Sequence, residues 1–122
     1  MPAAIKNLLI EQGVTFEWTL LFPLNAKNPA GPKLDLTGYS ARMHIRPELE
    51  SAAVLVNLSS ASGGGMTITP LDGRLDIEIS ALDTSALTFE KAVFDLELVR
   101  PNGKVLRLFK GSVSLSLEVT RT

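Results

Sequence analysis

At 122 residues and 13.1 kDa, the chain is expected to form one domain spanning residues 1–122, able to bury roughly 65% of its unfolded surface without a metal or disulfide. Its 12 basic and 13 acidic residues give a formal charge of −1 with no block of one sign, which argues against nucleic acid or an anionic membrane as the partner. Cysteine is absent, and disulfides, thiolate nucleophiles and cysteine metal ligands are excluded with it. Hydrophobic residues at 45% against 20% charged describe a chain that folds rather than a disordered one. The N-terminus has no apolar run of signal length and no stretch approaches the roughly 20 apolar residues of a spanning helix, so a soluble product made in the cytoplasm is expected.

Ile5 to Glu11 contains Leu8, Leu9 and Ile10, a run too short to separate helix from strand by period, although Ile10 and Gly13 lean toward strand. Residues 1–11 are expected at a sheet edge or on a neighbouring subunit, with Ile5, Leu8 and Ile10 as candidate partner contacts. Val14, Phe16, Trp18, Leu20 and Phe22 then alternate with Thr15, Glu17, Thr19 and Leu21. That period of two predicts a central strand packed against a facing sheet.

Pro23 to Pro32 holds three prolines, two asparagines and a glycine, which predicts an exposed loop. Lys33 to Gly38 leads into Tyr39, Ala41, Met43 and Ile45, alternating with Ser40, Arg42, His44 and Arg46 until Pro47 ends the strand. Arg42, His44 and Arg46 should share one wet face, where they are candidates for contact with an acidic partner. Val54, Val56 and Leu58 form a short alternating segment before the flexible Ser59–Gly65, which lacks the lysine and spacing of a phosphate-binding loop.

Met66–Thr69 and Arg74–Ile79 flank Pro70-Leu71-Asp72-Gly73, the signature of a hairpin reversal. Ser80 to Leu87 breaks the period of two and suits one or two helical turns capped by Ser80 or Asp83, crossing between two sheets. The last third is a long hairpin. Ala92, Phe94, Leu96 and Leu98 form one strand face, Arg100 to Lys104 supplies proline and glycine for the turn, and Val113, Leu115, Leu117 and Val119 alternate with Ser112, Ser114, Ser116, Glu118 and Thr120 on the return. Leu106 and Leu108 fall on the opposite parity. If both sets are buried, one extra residue is needed, with Gly111 as the natural site of the bulge; the alternative is that Val105 and Phe109 face the core with Arg107 as an exception.

The sum is about eight strands with one short helical turn, an all-β chain expected to form an antiparallel β-sandwich of immunoglobulin-like character in preference to a small barrel. No catalytic or metal constellation emerges. His44 has no nucleophile at recognisable spacing, and one histidine without cysteine leaves only carboxylates as metal ligands. Asp72, Asp76 and Glu78 fit a wet strand face better than a calcium site, and so do Asp95 and Glu97. Arg42 is expected to pair across strands with Glu97 or Asp95. Phe16, Trp18 and Phe22 share the core parity, which disfavours a carbohydrate platform. The expectation is a non-enzymatic protein without catalytic residues, cofactor, metal or small-molecule substrate.

Four segments carry a resemblance that covers nearly the whole chain: Gln12-Gly13-Val14-Thr15-Phe16, Leu34 to Arg46, Phe94-Asp95-Leu96-Glu97-Leu98, and Gly111-Ser112-Val113 through Val119-Thr120-Arg121. Together they resemble small structural proteins of tailed bacteriophages, most of all short virion proteins encoded near tail-fibre or baseplate genes. They are more distantly similar to the N-terminal β-sandwich domain of phage baseplate upper proteins. Phe94 departs from the tyrosine that such proteins favour, losing a hydroxyl contact and keeping the core ring. The resemblance implies a virion component present in multiple copies, a tail, baseplate or fibre-attachment adaptor whose partners are other phage structural proteins. The alternatives are a capsid decoration protein and a carbohydrate-binding module of the host-recognition apparatus. For the first two, the N-terminal run and the loops Pro23–Pro32 and Ser59–Gly65 are the segments expected to make contact.

Overall fold

The computed structural model describes residues 3–119, and their alternating patterns resolve into nine strands, a short helix and a 3-10 turn. Two very short strands, β1 (Ala4–Ile5) and β2 (Leu8–Glu11), open the chain, followed by β3 (Phe16–Leu21). After the proline-rich loop come β4 (Ser40–Arg46) and β5 (Val56–Ser59). The hairpin β6 (Met66–Thr69) and β7 (Arg74–Ile79) turns through a 3-10 turn at Pro70–Asp72, with Gly73 at φ 55°. Helix α1 (Ala81–Ser85) begins at Ser80, whose Oγ accepts from Asp83 N at 3.2 Å, as its capping chemistry requires. The long hairpin is β8 (Lys91–Val99) and β9 (Val105–Ser116).

The strands form two sheets, the larger in the order β1-β9-β8-β4-β5 with β2 also on β9, the smaller β3-β7-β6. The architecture is all-β and both sheets are mainly antiparallel. Their inner faces share one core, in which Ile10, Leu36, Ile45, Leu75 and Leu96 are fully buried. Each such side chain contributes roughly 1.5–3 kcal/mol. Helix α1 connects the smaller sheet to the larger, as the sequence pattern suggests.

The N-terminal run lies at the edge of the larger sheet, one of its two expected places, but Leu8 and Ile10 are not partner contacts. β1 and β2 pair parallel with β9, with Leu8 opposite Val113 and Ile10 opposite Leu115. Leu8 and Ile10 are 5% and 0% exposed, so they belong to the core and are unavailable to a partner. Ile5 is 69% exposed and does face outward. The reason is hydrophobic: with period two, burying Leu8 and Ile10 against Val113 and Leu115 satisfies both strands at once. Residues 1 and 2 of the proposed edge segment lie outside the described residues.

Three further differences concern strand placement. β3 lies at the edge of the smaller sheet, whose central strand is β7. The bulge in β9 falls at Leu108, because Leu96 pairs Phe109 and Glu97 pairs Arg107 with Leu108 left over. It brings Leu106 and Phe109 to the same inner face, as the parity switch demands. β9 itself ends at Ser116, where its neighbours β2 and β8 run out of pairing residues, so Leu117 and Val119 are 64% and 92% exposed. Thr120 and Arg121 lie outside the described residues.

Candidate functional site

The hairpin β8–β9 and its neighbour β4 set the outer face of the larger sheet in register. One row across the three strands is Arg42, Glu97 and Arg107, and the next is His44, Asp95 and Lys110, extended by Ile5 on β1. Beyond it come Arg46, Val93 and Ser112. A central column of carboxylates on β8 is thus flanked on both sides by basic columns. Four basic side chains stand against two carboxylates, in a protein whose formal charge is −1.

Part of this charge is internally paired. Arg42 Nε lies 2.7 Å from Glu97 Oε1, realising the expected cross-strand pair, and Arg107 Nε lies 3.5 Å from Asp95 Oδ2. Both arginines are about half exposed, so each pair contributes no more than about 1 kcal/mol. Arg46 is held differently: Nη1 donates to Ser51 O at 2.9 Å and Nη2 lies 3.2 Å from His44 Nδ1. A guanidinium only donates, so in this contact Nδ1 is the acceptor.

A cleft of about 570 Å³ lies on this face, lined among others by Ile5, His44, Arg46, Leu49, Val93 and Lys110. Leu49, 81% exposed, and Ile5 give it two apolar lips, and Val93 lies on the outward parity of β8 between them. Arg42, His44 and Arg46 therefore share a face as the alternation predicts. His44, Arg46 and Ile5 meet at the cleft, whereas Leu8 and Ile10 lie on the opposite side of the sheet. Leu49 and Lys110 escape sequence reasoning. Leu49 sits in the turn after Pro47, and the bulge at Leu108 is what gives Lys110 its outward parity.

Other surfaces are less equipped. Ser60 to Gly65, with Tyr39 and β6, encloses about 480 Å³, and the loop is closed by its own backbone, Ser59 N donating to Gly64 O and Gly64 N to Ala61 O. On the outer face of the smaller sheet Asp76 accepts from Thr19 Oγ1 at 2.7 Å and from Arg74 Nε at 2.9 Å. Among the described residues no group of three or more His, Cys, Asp or Glu is placed to hold a metal, and no helix is long and apolar enough to cross a membrane. The rings of β3 point inward: Trp18 packs edge-on against Phe94 at 6.2 Å and Phe109 at 5.2 Å, and Lys6 Nζ lies 5.5 Å from its ring centre.

One polar cluster has no counterpart in the sequence reading. Thr84, fully buried on α1, donates through Oγ1 to Val14 O at 2.9 Å and accepts from Gly13 N at 3.1 Å. Beside it Gln12 Nε2 donates to Leu87 O, and Glu118 N donates to Gln12 Oε1, both at 2.9 Å. This cluster ties the β2–β3 turn, α1 and the end of β9 together at one pole, a structural role.

No protein-family model matches the chain, and no curated protein matches it significantly.

Proposed function

We propose that this chain is a non-enzymatic, immunoglobulin-like adaptor of a bacteriophage particle, attached at the tail or baseplate and acting through protein contacts on the outer face of its larger sheet. The observation that carries the adaptor reading is that face: an apolar-lipped cleft walled by Arg46 and Lys110, with Arg42 and Arg107 beyond. Its basic flanks suit an acidic partner segment with one or two apolar anchors, since charge sets orientation and the buried apolar centre supplies affinity.

The immunoglobulin-like reading is supported by strand order. Taking β3 to β9 as B, C, C′, D, E, F and G, the sheets are B-E-D and C′-C-F-G, the arrangement of variable-type sandwiches. Trp18 on β3 and Phe94 on β8 meet between the layers, on the two strands that the inter-sheet disulfide joins in antibody domains. The phage setting rests on the resemblance carried by Gln12–Phe16, Leu34–Arg46, Phe94–Leu98 and Gly111–Arg121.

Immunogold labelling of particles from cells expressing the chain tests this. Gold at the tail tip is expected, gold on heads replaces the adaptor by the capsid decoration reading, and unlabelled particles overturn the virion assignment. A melting shift with glycans would instead favour the carbohydrate-binding reading.

A further inference from the structure

The smaller sheet stops at β3, and one long side of that strand has no backbone partner among the described residues. Phe22 N donates to Gly73 O, and on the far side of β7 Glu78 N donates to Gly65 O. These two bonds fix the alternation: Phe16, Trp18 and Leu20 turn their backbone groups toward β7, and the N–H and C=O of Glu17, Thr19 and Leu21 project from the free edge. Edge strands are ordinarily blunted by lysine, proline or a bulge. β3 reads Phe-Glu-Trp-Thr-Leu-Leu and pairs with β7 in unbroken register, so it has no lysine, proline or bulge, and Glu17 is its one charged residue.

The side chains mark the same flank as incomplete. Leu75, Ile77 and Ile79 on β7 are 0%, 1% and 2% exposed, while Leu20, Trp18 and Phe16 directly opposite them are only half-buried. Leu21 is 56% exposed on the outer face.

We propose that β3 pairs antiparallel with β3 of a second copy of this chain, across a two-fold axis at Thr19, to form one continuous sheet of six strands. An edge of this kind accepts an extended backbone, and the register centred on Thr19 suits this strand better than its neighbours. Centring on Thr19 sets Thr19 against Thr19 and Glu17 against the second copy's Leu21, with all projecting N–H and C=O groups facing partners. On the inner face Trp18 meets the second copy's Leu20. The second copy's Arg74, next to its Leu21 on β7 and paired with its own Asp76 at 2.9 Å, then lies two strands, about 10 Å, from Glu17, so this register sets no like charges in one row.

The neighbouring registers are less favourable. Centring on Glu17 opposes two carboxylates directly, and centring on Trp18 puts Glu17 in one row with the second copy's Thr19 and Asp76. Centring on Leu20 sets Glu17 against Pro23, which has no N–H to give. The pairing rests on the β3 edge alone, and the cleft on the larger sheet stays open in both copies.

Light scattering across a dilution series, on the intact chain and two variants, decides the matter. The unaltered chain is expected to be a dimer that dissociates on dilution. Leu21→Glu places like charges opposite each other at two symmetry-related positions and should weaken the dimer by about tenfold or more. Leu21→Lys places opposite charges there and should keep or tighten it. Leu21 is exposed, and circular dichroism should show both variants folded. A monomer at every concentration overturns the proposal. So does a dimer indifferent to Leu21→Glu, or one weakened alike by both substitutions. A dimer broken by Arg46→Glu with Lys110→Glu but not by Leu21→Glu would place the interface on the larger sheet and likewise overturn it.

Discussion

The backbone of Lys6 crosses directly over Gly111, so that a Cβ built on Gly111 would overlap the Lys6 carbonyl oxygen. Lys6 N donates to Lys110 O at 3.0 Å at the same crossing, and the break between β1 and β2 rides over β9 there. A glycine in mid-strand is ordinarily a weakness that alanine relieves by about 0.5–1 kcal/mol. Here the sign reverses. Gly111→Ala should lower stability by about 2 kcal/mol or more, through displacement of backbone rather than of a flexible side chain. Chemical denaturation read by Trp18 fluorescence checks it, and an unchanged or raised midpoint counts against the crossing.

The burial of β2 makes a paired prediction. Leu8→Ala and Ile10→Ala should each cost about 2–4 kcal/mol, as for other large aliphatic residues in closed cores. Leu9→Ser, on the exposed position between them, should change stability by no more than about 0.5 kcal/mol. Removing residues 3–11 is accordingly expected to unfold the domain rather than merely to abolish its assembly, which thermal melting distinguishes.

Thr84 offers a third test. Thr84→Val keeps the shape and removes the hydroxyl that Gly13 N and Val14 O both use. Leaving those backbone groups unsatisfied should cost about 1–3 kcal/mol. Thr84→Ser, which retains the hydroxyl, should recover most of the loss in the same melting measurement.

On the outer face of the larger sheet, stability and binding should separate. A double-mutant cycle on Arg42 and Glu97 is expected to give a coupling of about 0.2–1 kcal/mol. Arg46→Glu with Lys110→Glu should leave the fold intact and abolish capture of an acidic partner. A coupling well above that range would mean the pair is buried more deeply than the structure has it.

Asp35 supplies a pH test. The hydroxyl of Thr37, at 2.6 Å, and then the Thr37 N–H, at 2.9 Å, hold its carboxyl below the ordinary 3.8. Because the folded value is the lower one, the stabilisation is present above 3.8 and is lost as pH falls through the folded value. An NMR titration should find the Asp35 midpoint depressed, and Thr37→Val should move it upward. An unshifted midpoint in the unaltered chain rejects the turn geometry.

Much of this fold is written in its period of two. The β6–β7 and β8–β9 hairpins, the Ser80 cap and the common face of Arg42, His44 and Arg46 follow from side-chain alternation and turn chemistry, which act over a few residues. What lay beyond reach depends on distant parts of the chain. The partner of β2 is more than a hundred residues away, as Asn7 and Ser112 are at a separation of 105, and a four-residue run cannot reveal whether it will pair parallel or antiparallel. Gly111 looked like a bulge because the sequence shows a small residue but not the backbone lying on top of it. The cleft was half legible, since Arg46 and His44 declare their face, whereas Lys110 reaches it only through the extra residue at Leu108.

Because β1 and β2 run in the same direction as β9, Ala4 lies beside Phe109 and Glu11 beside Ser116, at opposite poles of the larger sheet. The seven residue steps from Ala4 to Glu11 place those poles about 23 Å apart. Tension applied between Ala4 and Ser116 would therefore load the β1/β2–β9 ladder in shear. Hydrogen bonds in that arrangement share the force instead of opening one at a time.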